Sequence, residues 1–216
     1  MKKLIALLLV LVMAVSMVAC GENPETTAPT TEPTNAPTEP PVQLPASALE
    51  LLQGAWTAYF GTLTEDQKFP VAGGFSDNFE EMVMDNAGPV KVELEGSMTN
   101  LFVPEDSYAS VEEASSVAHM MNANTFTAGA LKLKDGTDVA AFTQAMRDLI
   151  ANNHWFCGFP DRFVIVSVGN YVIVIYGQDG VEIDGFKTAE IVTPFVNAMS
   201  QYLPTAKILF NEQISG

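Results

Sequence analysis

Apolar and polar residues follow two periods along the chain, and the period indicates where helices and strands lie. Residues 48–63 place apolar side chains three and four positions apart, which predicts an amphipathic helix. Ser47 and Glu50 have the spacing of a capping box at its start. Ser110 and Glu113 repeat that spacing and predict a second helix. Its expected apolar face comprises Val111, Ala114, Val117 and Met121.

Four other segments have the patterns of β-strands. Alternation predicts a half-buried strand at 90–94, and a longer strand is expected at 125–133. The apolar runs 163–168 and 171–176 are separated by the two residues Gly169-Asn170, which predicts a hairpin. Because both runs are almost uniformly apolar, we expect them to be covered on both faces of a sheet.

Two further helices are predicted in the second half. Thr137 or Asp135 is available to cap the first of them. Its expected buried stripe is Val139, Phe142, Met146, Leu149 and Ile150. The second runs through the pattern from Ile191 to Tyr202, with Thr193 as the expected N-cap and Pro194 in the first helical position.

The order strand, helix, strand, strand, helix favours the α+β class. We expect an antiparallel-rich sheet with helices packed on one face, and a ferredoxin-like β-α-β-β-α half is one topology compatible with that order. At 216 residues with 48% apolar side chains, the chain is long enough for one folded domain, expected over 48–216.

The first 47 residues predict a cellular location and a membrane tether. Residues 1–19 have the basic start and short apolar run of a secretory signal peptide. Met17-Val18-Ala19-Cys20 resembles a bacterial lipobox, which implies a lipid on Cys20, an anchor in the cell membrane and an extracytoplasmic location; an ordinary cleaved signal is the alternative. Residues 21–47 hold 7 of the 13 prolines, four glutamates and no lysine or arginine, so a disordered stalk is expected over 20–47.

The charge balance narrows the set of partners. With 10 basic against 26 acidic residues and a net charge of −16, the chain is not expected to bind nucleic acid. The acidity is uneven, because residues 46–120 hold two basic and 13 acidic residues, whereas 121–216 hold six and nine. If a cationic peptide or protein partner exists, we expect it to dock on 46–120. A solvated surface is the alternative explanation.

Candidate chemistry is concentrated near residue 157. If Cys20 is lipidated, Cys157 is a lone thiol, and His154 stands three residues before it as a possible activating base. A buried structural thiol, with His154 at the carbonyl end of a helix, is the alternative. Trp155, Phe156 and Phe159 either line a groove for a peptide or small ligand or belong to the core.

No cofactor or metal is predicted. His119 lacks enough partner ligands for a metal site and is expected to be structural or exposed. The acidic segment 178–185 places Val181 and Ile183 where a calcium loop needs oxygen ligands, so a tight turn is expected.

Several segments resemble an uncharacterised family of lipoproteins from Gram-positive bacteria, some of whose members are labelled bacteriocin-transport accessory proteins. The resemblance covers about residues 75–200. It is carried by Asn124-Thr125-Phe126-Thr127-Ala128, Lys134-Asp135-Gly136-Thr137, Trp155-Phe156-Cys157-Gly158-Phe159 and Gly169-Asn170-Tyr171-Val172. It implies a location and a fold, and it implies no catalytic residues. Proteins with the accessory label are in some cases thioredoxin-like with Cys-x-x-Cys; that pair is missing here, which argues against disulfide exchange.

These observations favour a surface-tethered protein that binds or presents a ligand without catalysing a reaction. Two alternatives remain. One is an extracytoplasmic enzyme that uses Cys157 and His154. The other is an accessory subunit in peptide export or immunity, of the bacteriocin type.

Overall fold

The computed structural model describes residues 43–73, 88–94, 98–156, 158–183 and 185–214. Its described elements lie within one unit, Pro41–Gly216. The described residues form three α-helices, together with a short 3-10 helix at Glu105–Ser110. The α-helices are α1 (Ala48–Phe60), α2 (Val139–Ala151) and α3 (Val192–Tyr202). None of the helices in the described part of the chain is long and apolar enough to cross a membrane.

Within the described ranges, seven strands form the main sheet, and all of their pairings are antiparallel. They are β1 (Val71–Gly73), β2 (Val90–Val92), β3 (Val111–His119), β4 (Phe126–Leu133), β5 (Arg162–Val168), β6 (Tyr171–Gly177) and β9 (Lys207–Gln213). The order across the sheet is β1-β3-β4-β6-β5-β9, with β2 beside β1 on the outer edge of β3. A separate two-stranded ribbon pairs β7 (Glu182–Ile183) with β8 (Phe186–Lys187). The predicted α+β class with an antiparallel sheet is confirmed.

The helices cover both faces of this sheet, which corrects the expectation that they share one face. Helices α1 and α3 belong to one core cluster, and α2 belongs to the cluster on the opposite face. The connections explain this. The crossovers β4-α2-β5 and β6-α3-β9 each skip one strand in the same lateral direction, but they leave strands that point in opposite directions. Right-handed crossovers then require helices on opposite faces. The order β-α-β-β-α is present, and a ferredoxin-like arrangement is not confirmed.

Helix α1 begins as the sequence predicts. The Ser47 hydroxyl accepts the backbone N–H of Glu50 at 3.1 Å, and the Glu50 carboxylate accepts the N–H of Ala46 at 2.9 Å. The first bond satisfies a donor that a helix start would otherwise leave unpaired, and the second ties the residue before the N-cap to the first turn. The apolar face of α1, including Leu51, Leu52 and Trp56, is buried.

The helix predicted from Ser110 is wrong, because Val111–His119 is strand β3. A β-bulge between Val111 and Glu113 sets Val111 opposite Leu133 and Ala114 opposite Leu131, in the same core cluster. Residues three apart therefore share a face, as they would on a helix. Both faces of the strand are covered, which removes the alternation by which a strand is usually recognised.

The helix ends differ from the sequence predictions. Asp138, and neither Thr137 nor Asp135, caps α2 by accepting the N–H of Ala141 at 3.0 Å. Leu149, predicted to be buried, is 44% exposed.

Helix α3 begins before the predicted N-cap. Ile191 occupies the N-cap, so Thr193 and Pro194 lie inside the first turn. Proline is tolerated there because the first N–H groups of a helix have no acceptor within it.

The predicted hairpin of β5 and β6 is confirmed, including its turn at Gly169-Asn170. Val164 and Ile173 face one cluster, and Ile165 and Val174 face the other, so both faces are covered as expected. The edge strand β9 was not predicted.

Candidate functional site

A cavity of about 550 Å³ opens on the face of the sheet that carries α2. Its walls come from residues 99–108, from the β3–β4 connection at 123–124 and from residues 149–156 at the end of α2; Tyr176 of β6 also lines it. The site therefore lies where three segments between or at the ends of regular elements meet above the sheet, which is a common location for binding residues.

Three aromatic rings form the base of the cavity. The centroid of Trp155 lies 5.5 Å from that of Phe102 and 5.3 Å from that of Tyr176, and Phe102 and Tyr176 are 5.4 Å apart. Burial raises the pKa of Tyr176 to about 12, so this phenol stays neutral at physiological pH. Its hydroxyl donates to the carbonyl oxygen of Asn100 at 3.3 Å. This bond connects strand β6 to the part of the cavity wall formed by residues 99–108.

Phe102 occupies a backbone conformation that few residues other than glycine adopt. Its φ is 55°, and this left-handed conformation costs of order 1–3 kcal/mol for a residue with a side chain. Hydrogen bonds on both sides maintain it, from Phe102 N–H to Thr99 O at 3.0 Å and from Val103 N–H to Met98 O at 2.9 Å. The turn places the Phe102 ring against Trp155 and Tyr176.

A single amide anchors the loop that follows α2. Asn124 Nδ2 donates to the carbonyl oxygens of Phe156 at 2.8 Å and Gly158 at 2.9 Å. The backbone of Phe156 is thereby fixed, yet its side chain is 77% exposed. Phe156 thus contributes a large apolar surface beside the cavity without belonging to the core.

Acidic groups accompany this aromatic surface. Glu105 lines the cavity, and an adjoining depression is lined by Glu105, Asp106 and Asp148. No lysine or arginine lines either one among the described residues. His154 is exposed and borders both.

The structure separates the predicted site residues. Trp155 and Phe156 line the cavity, whereas Phe159 is 57% exposed and is absent from the lining. His154 does not cap α2, because the closer side chain of Asn152 donates to Asp148 O at 2.7 Å. Cys157 and Cys20 lie outside the described residues.

His119 has a structural role. Its ring stacks on Phe69 with centroids 5.4 Å apart, and Nδ1 accepts the N–H groups of Met121 and Asn122 at 3.2 and 3.3 Å. Burial lowers its pKa, which favours the neutral ring that this acceptor role requires. Within the described ranges, no three His, Cys, Asp or Glu side chains are grouped closely enough to hold a metal ion.

Sequence reasoning did not identify Phe102, Tyr108 or Asn100, and it named Asn124 only as part of the family resemblance and not as a site residue. They lie in connections without helix or strand periodicity, so no pattern identified them. The available signal was composition, since 99–108 combines aromatic, amide and acidic side chains in a connection between two strands.

Comparison with known proteins found no matching family model, no matching curated protein and no matching solved structure.

Proposed function

We propose that this chain is a membrane-anchored, extracytoplasmic binding protein that holds a ligand in the cavity between residues 99–108 and 149–156. The lipid on Cys20 is the anchor, and the folded part does not catalyse a reaction. The fold and the cavity support the binding role. The signal-like segment and the Cys20 motif support the anchor and the location.

One observation carries the binding role, which is the position of Phe156. An exposed phenylalanine is usually on a mobile surface, but here two hydrogen bonds from Asn124 fix the backbone on either side of residue 157. The backbone that carries the exposed ring is therefore held beside the cavity lined by Trp155 and Phe102. A ligand that covers it gains apolar burial with little ordering cost.

Another cavity, on the opposite face of the sheet, is less suited to this role. It has a volume of about 510 Å³ and includes Lys68 and Lys187. Lys68 pairs with Glu65 at 2.5 Å, and Lys187 pairs with Glu190. Its lysines are therefore already engaged, and a ligand carboxylate would compete with existing ion pairs.

Ligand-observed NMR with a library of neutral, cationic and anionic fragments tests the binding role. The whole chain in nonionic detergent should give saturation transfer to a subset of fragments. Leu149→Trp, at the border of the cavity, should abolish that signal, whereas Leu209→Trp, on the exposed edge strand, should not. Transfer that is absent for every class, or unaffected by Leu149→Trp, would refute the binding proposal.

Metabolic labelling with an alkyne fatty acid tests the anchor. Label should be incorporated by the wild-type chain and lost in Cys20→Ser, together with the membrane association of the protein. Equal labelling of both chains would contradict lipidation at Cys20.

The border position of His154 supports a second candidate, an enzyme that uses Cys157 with His154 as its base. Cys157 lies outside the described residues, so reactivity is the appropriate test. Rapid iodoacetamide labelling of Cys157 at neutral pH, slowed by His154→Ala, would support the enzyme. Labelling only after unfolding would exclude it.

A narrower form of the binding proposal is the accessory role in peptide export or immunity that the family resemblance suggested. Cross-linking of the anchored chain in cells, followed by mass spectrometry, tests it. Recovery of neither a peptide nor a transporter would count against this role and leave the fragment experiment unaffected.

A further inference from the structure

The formally charged side chains that line the cavity and the adjoining depression are carboxylates. Glu105 is shared by the cavity and the adjoining depression, and Asp106 lines the depression beside it. The ion pairs of the described residues involve neither carboxylate. Both charges are therefore free to interact with a ligand.

Asp148, the third carboxylate, is less available. It accepts Arg147 Nη1 and Gln144 Nε2, each at 3.1 Å. Arg147 also donates two hydrogen bonds to Glu212, at 3.0 and 2.8 Å. Its guanidinium is therefore already paired and does not bind a ligand. The acidic character of the site thus rests on Glu105 and Asp106.

The aromatic rings that line the cavity also attract cations. The face of an aromatic ring carries partial negative charge and attracts a cation that lies within about 6 Å of the ring centroid. Phe102, Tyr108, Trp155, Phe156 and Tyr176 all line the cavity. Aromatic rings beside an unpaired carboxylate are the combination that recognises alkylated or primary ammonium groups.

We propose that this cavity binds an organic ammonium group, with the aromatic rings around its carbon substituents and Glu105 as its counter-charge. This inference rests on the proposed binding function and names the chemical class of its ligand. The group belongs either to a small quaternary amine or to a lysine side chain of a peptide. Hard metal ions do not fit, because ring faces supply no oxygen ligands.

Paired probes that differ only in charge test the class. Choline is compared with 3,3-dimethylbutan-1-ol, its neutral carbon isostere. The α-N-acetylated amide of lysine, with a free side-chain ammonium, is compared with the same derivative of 2-aminoheptanoic acid, in which a methyl group replaces the ammonium. The whole chain in nonionic detergent should bind each cation about tenfold more tightly than its neutral partner, by fluorescence titration. The tighter of the two cations identifies the source as a small amine or a peptide.

Matched variants locate the effect. Glu105→Gln should weaken choline binding about fivefold and leave dimethylbutanol binding unchanged, because a single charge at contact distance near a surface contributes about 1 kcal/mol or more. Glu182→Gln, an exposed carboxylate outside both depressions, should have no effect. Phe156→Ala should weaken binding about three- to tenfold, whereas Phe186→Ala, equally exposed elsewhere, should not.

Equal affinity for charged and neutral partners, no binding of either cation, or an unchanged affinity in Glu105→Gln would overturn the ammonium inference. The proposed function fails separately. If neutral or anionic fragments bind and Leu149→Trp displaces them, the cavity binds a ligand of another class. If no fragment binds, the binding function itself is refuted.

Discussion

At the scale of single residues, Asp179 joins strand β5 to helix α3 through one carboxylate. It accepts Arg162 Nε at 2.6 Å, the backbone N–H of Thr193 at 2.7 Å and the Thr193 hydroxyl at 2.8 Å. Ile191, the N-cap of α3, has no capping side chain. Asp179 therefore supplies the cap and the negative charge that a helix start favours.

We predict that Asp179→Asn lowers the free energy of unfolding by about 2–3 kcal/mol, measured by urea denaturation. The carboxylate is only 7% exposed, and hydrogen bonds to a charged group are worth more than neutral ones. Asp148→Asn is the matched control; its side chain is 52% exposed, so its loss should cost at most about 1 kcal/mol. Similar losses in the two variants would show that Asp179 is not a special junction.

Tyr176 makes stability depend on alkaline pH. Burial raises the pKa of Tyr176 to about 12 in the folded protein, whereas a tyrosine in the unfolded chain titrates near 10. Unfolding thus releases a proton between these values, and stability falls as the pH rises.

We expect the free energy of unfolding to decrease by about 2–3 kcal/mol between pH 10 and 12 from this group. Tyr176→Phe should reduce that slope, and tyrosinate absorbance should locate the titration. Tyr59, whose pKa burial also raises to about 12, should maintain a remaining slope in the variant. A slope that Tyr176→Phe leaves unchanged would contradict the assignment.

At the scale of elements, the wall of the cavity rests on strand β4 through one close contact. A Cβ atom added at Gly129 would lie 2.4 Å from Cδ2 of Leu101, which is fully buried beneath the turn that carries Phe102. The missing side chain of Gly129 therefore allows this turn to approach the sheet.

Gly129→Ala should destabilise the fold by about 1–3 kcal/mol, because the added methyl group forces the fully buried Leu101 side chain to shift. It should also weaken binding of any cavity ligand, since Phe102 is the neighbour of Leu101. Leu101→Ala removes the clash, so the double variant should lose less stability than the sum of the two single variants. Additive losses in thermal denaturation would disprove the contact.

The elements also show where local pattern was sufficient. Helix α1 and the β5–β6 hairpin were predicted because capping residues and a two-residue turn act within a few positions. Strand β3 was misassigned because the bulge at Val111 gave a strand the spacing of a helix. Only the pairing of this segment with β4 distinguishes a bulged strand from a helix.

At the scale of the whole molecule, β9 completes the sheet. It pairs with β5 from Arg162 to Ser167 and forms the edge of the sheet, with Ile208 and Leu209 48% and 38% exposed. Two side-chain contacts reinforce it, from Arg147 of α2 to Glu212 and from Arg162 to Asn211 at 2.7 Å.

Removal of residues 204–216 should leave one edge of the apolar strand β5 unpaired, although its other edge still pairs with β6. We expect the shortened chain to associate, because an unpaired apolar edge recruits other chains. Light scattering after refolding should detect oligomers. Removal of residues 215–216 alone, which follow β9, is the control and should leave the scattering unchanged. A monomeric, folded chain without β9 would show that this strand is dispensable.

The sequence by itself determined helix α1 and the β5–β6 hairpin, because each depends on residues close together in the chain, and the order of its elements determined the α+β class. Only the tertiary structure decided the bulged strand β3, the edge strand β9, the placement of helices on both faces and the walls of the cavity. These features depend on contacts such as Asn124 with Phe156 and Gly129 with Leu101, which are distant in sequence. The spacing of apolar residues along the chain does not predict contacts between distant residues. The candidate ammonium site is formed by such contacts.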